Sequence, residues 1–181
     1  SPMELPKKVL IVDHDVADAN MMESFLTGKG IGVLKAENWE NALYQFNNNL
    51  IDCVVISHRV SEKPGTALIQ KWRNHDLESK RYAGFVVTLG KEASKGDDAL
   101  IKELGAVETL RKPVKDMNLI KMIVTAMMSA KEQQGIVEVH DKILKPLIKK
   151  EKYDRAVAIA EEKLAPLGDH GAFVTGTVLE E

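Results

Sequence analysis

The sequence predicts an α/β fold: a doubly wound sheet of five parallel strands, followed by an α-helical extension. Two observations lead to this prediction. Short runs of β-branched residues alternate with helical patterns along most of the chain, and most of these runs consist almost entirely of apolar residues. Uninterrupted apolar runs are typical of strands covered on both faces, and alternation with helices produces right-handed βαβ units. Together these features favour a parallel sheet over an antiparallel one.

The apolar runs and the segments between them correspond to individual strands and helices. The runs that we assign to strands span residues 9–12, 31–34, 53–56, 85–88 and 107–110. Apolar residues recur at i, i+3, i+4 and i+7 from Trp39 to Phe46, which is the stripe of an amphipathic helix. Gly28, Gly30 and Gly105 follow other helical patterns and predict where those helices end.

The composition excludes several classes of protein. Of the 181 residues, 44% are hydrophobic and 29% are charged, which is typical of a globular chain and too apolar for disorder. The 25 basic and 27 acidic residues give a net charge of −2, so no excess of charge points to nucleic acid or to an anionic membrane. The single cysteine, Cys53, excludes an internal disulfide bond and predicts a cytoplasmic location. No apolar run reaches the roughly 18 residues of a membrane-spanning helix.

The pattern also predicts three parts of unequal length. Residues 1–6 are a tail, and residues 7–134 form the α/β domain. Gly135 is expected to interrupt the helical pattern, and residues 135–181 form a helical segment with two helices between residues 138 and 167.

Polar side chains follow four of the predicted strands where each strand ends. Because ligands bind at the carboxyl ends of the strands in open parallel sheets, these side chains form the candidate site. The residues at these positions are Asp13, His14, Ser57, Thr88 and Lys112. No glycine-rich phosphate-binding loop follows the first strand, which disfavours a nucleotide-binding enzyme.

The same residues resemble the receiver domain of two-component response regulators, and the similarity covers residues 7–130. The motifs that carry it are Ile11-Val12-Asp13, the glycine Gly65 eight positions beyond Ser57, Thr88 after an apolar strand, and Lys112-Pro113 before the last helix. The resemblance implies a flavodoxin-like receiver fold and a bacterial signalling protein. It also implies that Asp13 is a magnesium-binding acid and that Thr88 and Lys112 contact phosphoryl oxygens.

The sequence departs from this family at the positions that carry its chemistry. The resemblance places the phosphate-accepting aspartate at Ser57, the second metal-binding acid at His14 and the aromatic switch residue at Thr109. Asp52 cannot replace the acceptor, because it lies at the other end of the strand, roughly 16 Å from Ser57 at about 3.3 Å per residue. We therefore predict a pseudo-receiver, a receiver fold that has lost the phosphorelay chemistry.

Charge counting predicts that this pocket holds no Mg²⁺. The family pocket contains about three carboxylates and one ammonium, an excess of negative charge that a divalent cation balances. Here only Asp13 opposes Lys112 at the matching positions, and the pair can neutralise itself. Asp15 is expected to cap the first helix. We expect no metal, no cofactor and no catalytic residue, and hence no enzyme.

Several residues also have a purely structural interpretation. The Asp13–Lys112 pair is either an ion pair that stabilises the sheet edge or a pair whose breaking regulates the protein. His14 and His58 either fill the altered pocket or form a metal or pH-sensing site. Cys53 is expected to be a core residue on the third strand.

The last helix of the α/β domain carries more apolar residues than one face requires. Ile120, Val124 and Met128 form a second stripe, and with Thr109 they are the interface candidates. In receivers this region commonly contacts a partner. We therefore expect a protein partner, a homodimer through this helix being one form of it, and neither nucleic acid nor a membrane. Burial in the core is the alternative explanation.

Residues 137–170 resemble one tetratricopeptide repeat, since Tyr153-Asp154-Arg155-Ala156 is similar to the unit that opens the second helix of such a repeat. Residues 173–179 are expected to begin the next repeat. Because about three repeats are needed to bury a continuous core, the resemblance implies that the sequence is truncated and that further repeats follow Glu181. An ordinary helical hairpin is the alternative.

The leading interpretation is a non-catalytic signalling or scaffolding module that binds partner proteins without phosphorylation. One alternative is a functioning phosphoreceiver with an atypical acceptor. The other is a flavodoxin-like nucleotide binder or small enzyme.

Overall fold

The computed structural model describes residues 4–167, and its main sheet confirms the predicted α/β class. The strands, including a short two-stranded ribbon after the third, are β1 (Lys8–Val12), β2 (Gly32–Ala36), β3 (Cys53–Ser57), β4 (Arg59–Val60), β5 (Lys63–Pro64), β6 (Gly84–Leu89) and β7 (Val107–Arg111). The helices that accompany the sheet are α1 (Val16–Thr27), α2 (Trp39–Asn48), α3 (Gly65–Arg73), α4 (Glu78–Arg81), α5 (Lys95–Lys102) and α6 (Asp116–Val139). The sheet order is β2-β1-β3-β6-β7, and every neighbouring pair is parallel.

The central strands of the sheet are the most deeply buried. Every residue of β3 and β6 is buried, because the sheet is covered on both faces. From β1 the chain forms β2 on one side and then β3 on the other, so the strand order reverses between β1 and β3. In open α/β sheets the binding crevice lies at this reversal, beside the carboxyl ends of the strands.

Each face of the sheet has its own hydrophobic core. One core contains an aromatic stack, in which the centroid of the Trp72 ring lies 4.4 Å from that of Phe46 and 6.2 Å from that of Phe85. The core on the other face includes Met22 of α1 and Leu119 of α6. These cores fix the helices against the sheet and therefore fix the loops that form the candidate site.

Polar caps determine where the helices near the site begin. Asp15 is the N-cap of α1 and accepts a hydrogen bond from the backbone N–H of Asp18 at 3.1 Å, which confirms the role predicted for it. At the start of α5, Ser94 and Asp97 form a capping box, in which each side chain accepts a hydrogen bond from the backbone N–H of the other residue.

Chain contacts divide the protein into two units, Ser1–Ala130 and Lys131–Glu181. After the end of α6, the described part of the second unit contains a π-helical turn (His140–Leu144), α7 (Lys145–Lys149), α8 (Tyr153–Lys163) and a 3₁₀ turn (Ala165–Leu167). Its small core consists of Ile136, Leu144, Ala156, Ala160 and Leu164. The domain boundary at residues 134 and 135 and the tetratricopeptide resemblance stay predictions, and residues 173–179 lie outside the described residues.

The predicted interruption of the helix at Gly135 is wrong. Gly135 lies inside α6, which continues to Val139. A glycine in a helix interior costs only about 1 kcal/mol relative to alanine, which packing readily offsets. Gly135 also lies against Leu167, whose Cδ1 is 3.8 Å from the position that a Cβ would take.

Within residues 4–167, no helix combines the length and the apolarity needed to cross a lipid bilayer.

Candidate functional site

Four strand ends place the predicted site residues along one edge of the sheet. Ser57 is the last residue of β3 and pairs in register with Thr88 of β6. β1 and β3 are in register up to the residues that precede Asp13 and Ser57, so these two residues emerge side by side. Lys112 directly follows β7. The structure therefore brings four of the five predicted residues to one edge.

Backbone hydrogen bonds hold the two charged residues just beyond the strands. The N–H of Asp13 donates to the carbonyl oxygen of Ala36 at 3.0 Å. The N–H of Lys112 donates to the carbonyl oxygen of Leu89 at 2.9 Å. Because the backbone is fixed at both points, the side chains of the pair are held at the edge of the sheet.

The Lys112 ammonium lies between two carboxylates. Its Nζ is 2.8 Å from Asp13 Oδ2 and 2.8 Å from Asp18 Oδ2. The other oxygen of Asp13, Oδ1, accepts a hydrogen bond from the backbone N–H of Asp15 at 2.9 Å. Since the Asp13 carboxylate is fully buried, these contacts supply the partners that a buried charge requires.

The contact between Asp18 and Lys112 changes the charge of the pocket that the sequence predicted. The sequence alone pairs Lys112 with Asp13, which gives a neutral pair, whereas two carboxylates and one ammonium carry a net charge of −1. The sequence does place Asp18 in the first turn of the helix that follows Asp13. Its direction toward Lys112 depends on how α1 packs against the sheet, and the apolar pattern of the helix does not specify this.

Lys112 keeps its charge in this cluster. Burial alone would lower the pKa of its ammonium, but hydrogen bonds and charges from Asp13 and Asp18 outweigh burial and raise the pKa above its ordinary value. For Asp15, a hydrogen bond from the backbone of Asp18 lowers the pKa of the carboxyl, and the charge of Lys112 acts in the same direction.

Ser57 and Thr88 supply two hydroxyl groups at the same edge. Ser57 is 7% exposed, whereas Thr88 is fully buried, and its Oγ1 has no hydrogen-bond partner among residues 4–167. Gly65 packs directly on the end of β3, since a Cβ on Gly65 would lie 2.2 Å from the carbonyl oxygen of Ser57. Only glycine therefore lets α3 start so close to the end of β3.

The two histidines near the site lie in different surroundings. His14 is exposed, whereas His58 is half-buried and lines a cavity of about 220 Å³ with side chains of α3 and α5, among them Gln70 and Asp97. No hydrogen bond or ion pair joins His14 to His58 in the described part of the chain. Among residues 4–167, no group of three or more His, Cys, Asp or Glu side chains is placed so that it could hold a metal ion.

Asp52 and Cys53 have structural roles at the start of β3. Asp52 Oδ2 accepts hydrogen bonds from the backbone N–H groups of Lys7 at 2.7 Å and Lys8 at 3.2 Å, at the amino edge of the sheet. Asp52 is thus remote from Ser57 along the strand, as predicted. Cys53 is fully buried, and burial raises the pKa of its thiol, which confirms it as a core residue.

The interface candidates differ in exposure. Met128 is 54% exposed, while Ile120 is half-buried and packs against the core. Thr109 is half-buried in β7, and a hydrogen bond from its hydroxyl lowers the pKa of Asp98. The prediction that Val124 contacts a partner is wrong, because its side chain is only 6% exposed and is not part of the surface.

Comparison with known proteins places these features in a family. Residues 9–124 match the family model of the response regulator receiver domain. No curated protein sequence matches the chain. A protein from Chloroflexus aurantiacus J-10-fl, described as a response regulator, is 27% identical, with a TM-score of 0.61 over 67% of this chain and 98% of that chain.

Two further solved structures share the fold. A CheY-like response regulator receiver domain protein from Methanospirillum hungatei JF-1 is 20% identical, with a TM-score of 0.59 over 70% of this chain and 98% of that one. A structure described as adenylate cyclase from Rhodopirellula baltica is 20% identical, with a TM-score of 0.59 over 78% of this chain and 98% of that one. Because the family model matches more than half of the 181 residues and spans the strand ends that carry Asp13, Thr88 and Lys112, this chain belongs to the response regulator receiver domains of two-component signalling.

Proposed function

We propose that this receiver domain does not accept a phosphoryl group by the aspartate chemistry of its family and instead acts as a non-catalytic module that binds partner proteins. The observation that carries the proposal is the residue at the end of β3. There the chain has the hydroxyl of Ser57 where the family has a carboxylate.

The chemistry of the pocket supports this proposal. In aspartyl phosphorylation a carboxylate oxygen attacks phosphorus and the leaving group of the donor departs, so the nucleophile must carry a negative charge. A serine hydroxyl needs a base to remove its proton. Asp13 emerges beside Ser57, but both oxygens of Asp13 are already engaged, by Lys112 and by the backbone of Asp15. Residues 53–61 contain no other acid that could take either role.

Phosphoryl transfer from acetyl phosphate tests the proposal directly. Incubation of the protein with acetyl phosphate and Mg²⁺ is expected to leave its intact mass unchanged. The matched variant combines His14→Asp with Ser57→Asp, which restores an acid pair and an anionic nucleophile. This variant is expected to gain the mass of one phosphoryl group and to release acetate.

Two outcomes contradict the proposal. A phosphoryl group on the wild-type chain, placed by peptide mapping at Ser57 or another pocket residue, shows that the pocket is active. A double variant that retains the wild-type circular dichroism but stays unlabelled contradicts the assignment of Ser57 to the acceptor position.

The partner-binding surface that we propose is the exposed side of α6 together with β7. Met117 is 68% exposed and Met128 54% exposed, and at a spacing of 11 residues they lie on the same side of the helix. Exposed apolar side chains of this kind are typical of protein contacts, and methionine adapts to varied partners. The helical second unit is proposed to serve the same scaffolding role.

Self-association gives the first test of this surface. A second copy of the chain is expected to bind through α6, so Met128→Glu should shift sedimentation equilibrium toward the monomer by at least tenfold in dissociation constant. Tyr44→Glu is the matched control, because Tyr44 is 66% exposed and lies on α2, which packs on the opposite face of the sheet from α6. Equal self-association of Met128→Glu and wild type would show that Met128 lies outside the contact.

A further inference from the structure

The Lys112 ammonium links three segments of the receiver unit. Its own backbone follows β7, Asp13 follows β1, and Asp18 lies in the first turn of α1. The two Nζ–Oδ2 distances are equal, at 2.8 Å. A single positive charge therefore holds the start of α1 and the ends of two strands together.

Asp18 supplies a carboxylate that the sequence motif lacks. At the motif position the chain has His14, which is exposed, and no hydrogen bond or ion pair joins it to Lys112 in residues 4–167. Asp18 lies within the first turn of the helix, and its backbone N–H donates to the capping carboxylate of Asp15. The cap sets the first turn of α1 in a fixed position, from which the Asp18 carboxylate contacts the ammonium.

The contacts within the cluster compete with an external cation for the oxygens of the buried carboxylate. Both oxygens of the buried Asp13 carboxylate are occupied, one by Lys112 and one by the backbone of Asp15. A divalent ion at Oδ2 would have to displace the ammonium or share that oxygen with it. Lys112 remains charged well above neutral pH, since its carboxylate partners raise its pKa despite burial.

We propose that Lys112 acts as a built-in cation in place of a divalent ion and that, through Asp18, it locks α1 to the carboxyl edge of the sheet in one arrangement. The inference builds on the proposed function, because a pocket closed by its own ammonium has no use for the metal that phosphoryl transfer needs. The proposal predicts that the conformation of the receiver unit does not depend on divalent ions.

Thermal unfolding of Lys112→Met with and without Mn²⁺ or Mg²⁺ tests the lock. The Tm of the wild-type protein is expected to be the same in EDTA and in either metal. Removing one partner of a buried ion pair should lower the Tm of Lys112→Met in EDTA by roughly 10 °C. The two uncompensated carboxylates should then bind the metal through oxygen, and the metal should restore several degrees of that loss.

Two controls identify the residues responsible. The double variant Lys112→Met with Asp18→Asn should show no recovery in metal, because one of the two carboxylates is gone. Lys121→Met removes an exposed lysine of α6 and should behave as wild type. A wild-type Tm that rises with metal overturns the inference, as does a recovery that persists without Asp18.

Hydrogen exchange of a second variant, Asp18→Asn, tests the proposal even if Lys112→Met does not fold. Asp18→Asn retains the buried Asp13–Lys112 pair and loses only the link to α1. Its amides in α1 should exchange at least tenfold faster than in wild type, while those in α2 stay unchanged. Unchanged exchange in α1 contradicts the lock. Labelling of the wild type by acetyl phosphate would contradict the proposed function instead, so the two failures are distinguishable.

Discussion

Replacement of Gly65 by alanine is expected to destabilise the receiver unit by about 3 kcal/mol, the upper part of the range for overpacking in a protein interior. A Cβ at this position would lie 2.2 Å from the carbonyl oxygen of Ser57 and 3.0 Å from Cγ1 of Ile56. The first contact involves backbone at the end of a central, fully buried strand, so no side chain can rotate away to relieve it. The start of α3 would have to move off the sheet.

Chemical denaturation monitored by tryptophan fluorescence measures this effect. Both tryptophans, Trp39 and Trp72, lie in the receiver unit, so the signal reports on that unit. The matched control is Gly96→Ala in α5, where a Cβ would meet only the side chain of Ser94 at 3.5 Å. The control should be neutral or stabilising by up to about 1 kcal/mol. Equal stability of Gly65→Ala and Gly96→Ala would show that the close approach at Ser57 does not constrain the fold.

Replacement of Arg73 by methionine should cost about 3 kcal/mol, because hydrogen bonds from charged donors contribute ~1.5–3 kcal/mol each and their loss leaves two part-buried acceptors unpaired. The two guanidinium nitrogens of Arg73 donate to the carbonyl oxygens of Leu104 at 2.7 Å and Gly105 at 2.5 Å. These carbonyls follow the end of α5, where a positive charge is also favoured by the helix dipole. The guanidinium carbon lies 5.7 Å from the centre of the Phe85 ring.

The variant Arg73→Lys separates the effect of hydrogen-bond geometry on stability from the effect of the positive charge. A lysine retains the positive charge but cannot donate to two carbonyls through a planar fork, so we expect it to lose about half of the stability that methionine loses. Urea titration should show both variants with the wild-type m-value and with reduced midpoints, which marks a change in stability alone. Wild-type midpoints for Arg73→Met would show that the two hydrogen bonds contribute nothing to the end of α5.

The strands of the sheet were predictable because their signal is local. Each predicted apolar run overlaps an observed strand of the main sheet, with ends that agree within two residues. Asp15 likewise caps α1 as predicted, since capping depends on the few residues that follow it. The lack of any acid in residues 53–61, on which the proposed function depends, is also a property of the sequence.

Contacts that depend on how the helices pack against the sheet were not predictable. Asp18 meets Lys112 only because α1, β1 and β7 pack together, and the two residues are 94 positions apart in the chain. Val124 belongs to an apolar stripe that suggested a surface, yet it is 6% exposed, because periodicity identifies a face and not what covers it. Gly135 destabilises a helix by only about 1 kcal/mol relative to alanine, and packing outweighs this cost.

Residue types at short spacing were enough to predict the class of fold, the sheet edge that carries the candidate site, and a hydroxyl instead of a carboxylate at the end of the third strand. The tertiary structure decided that Lys112 faces two carboxylates, that Gly65 lies against the end of β3 and that Arg73 holds the end of α5. These contacts join segments far apart in the chain, and their geometry depends on how the helices pack on the sheet, which local patterns do not specify.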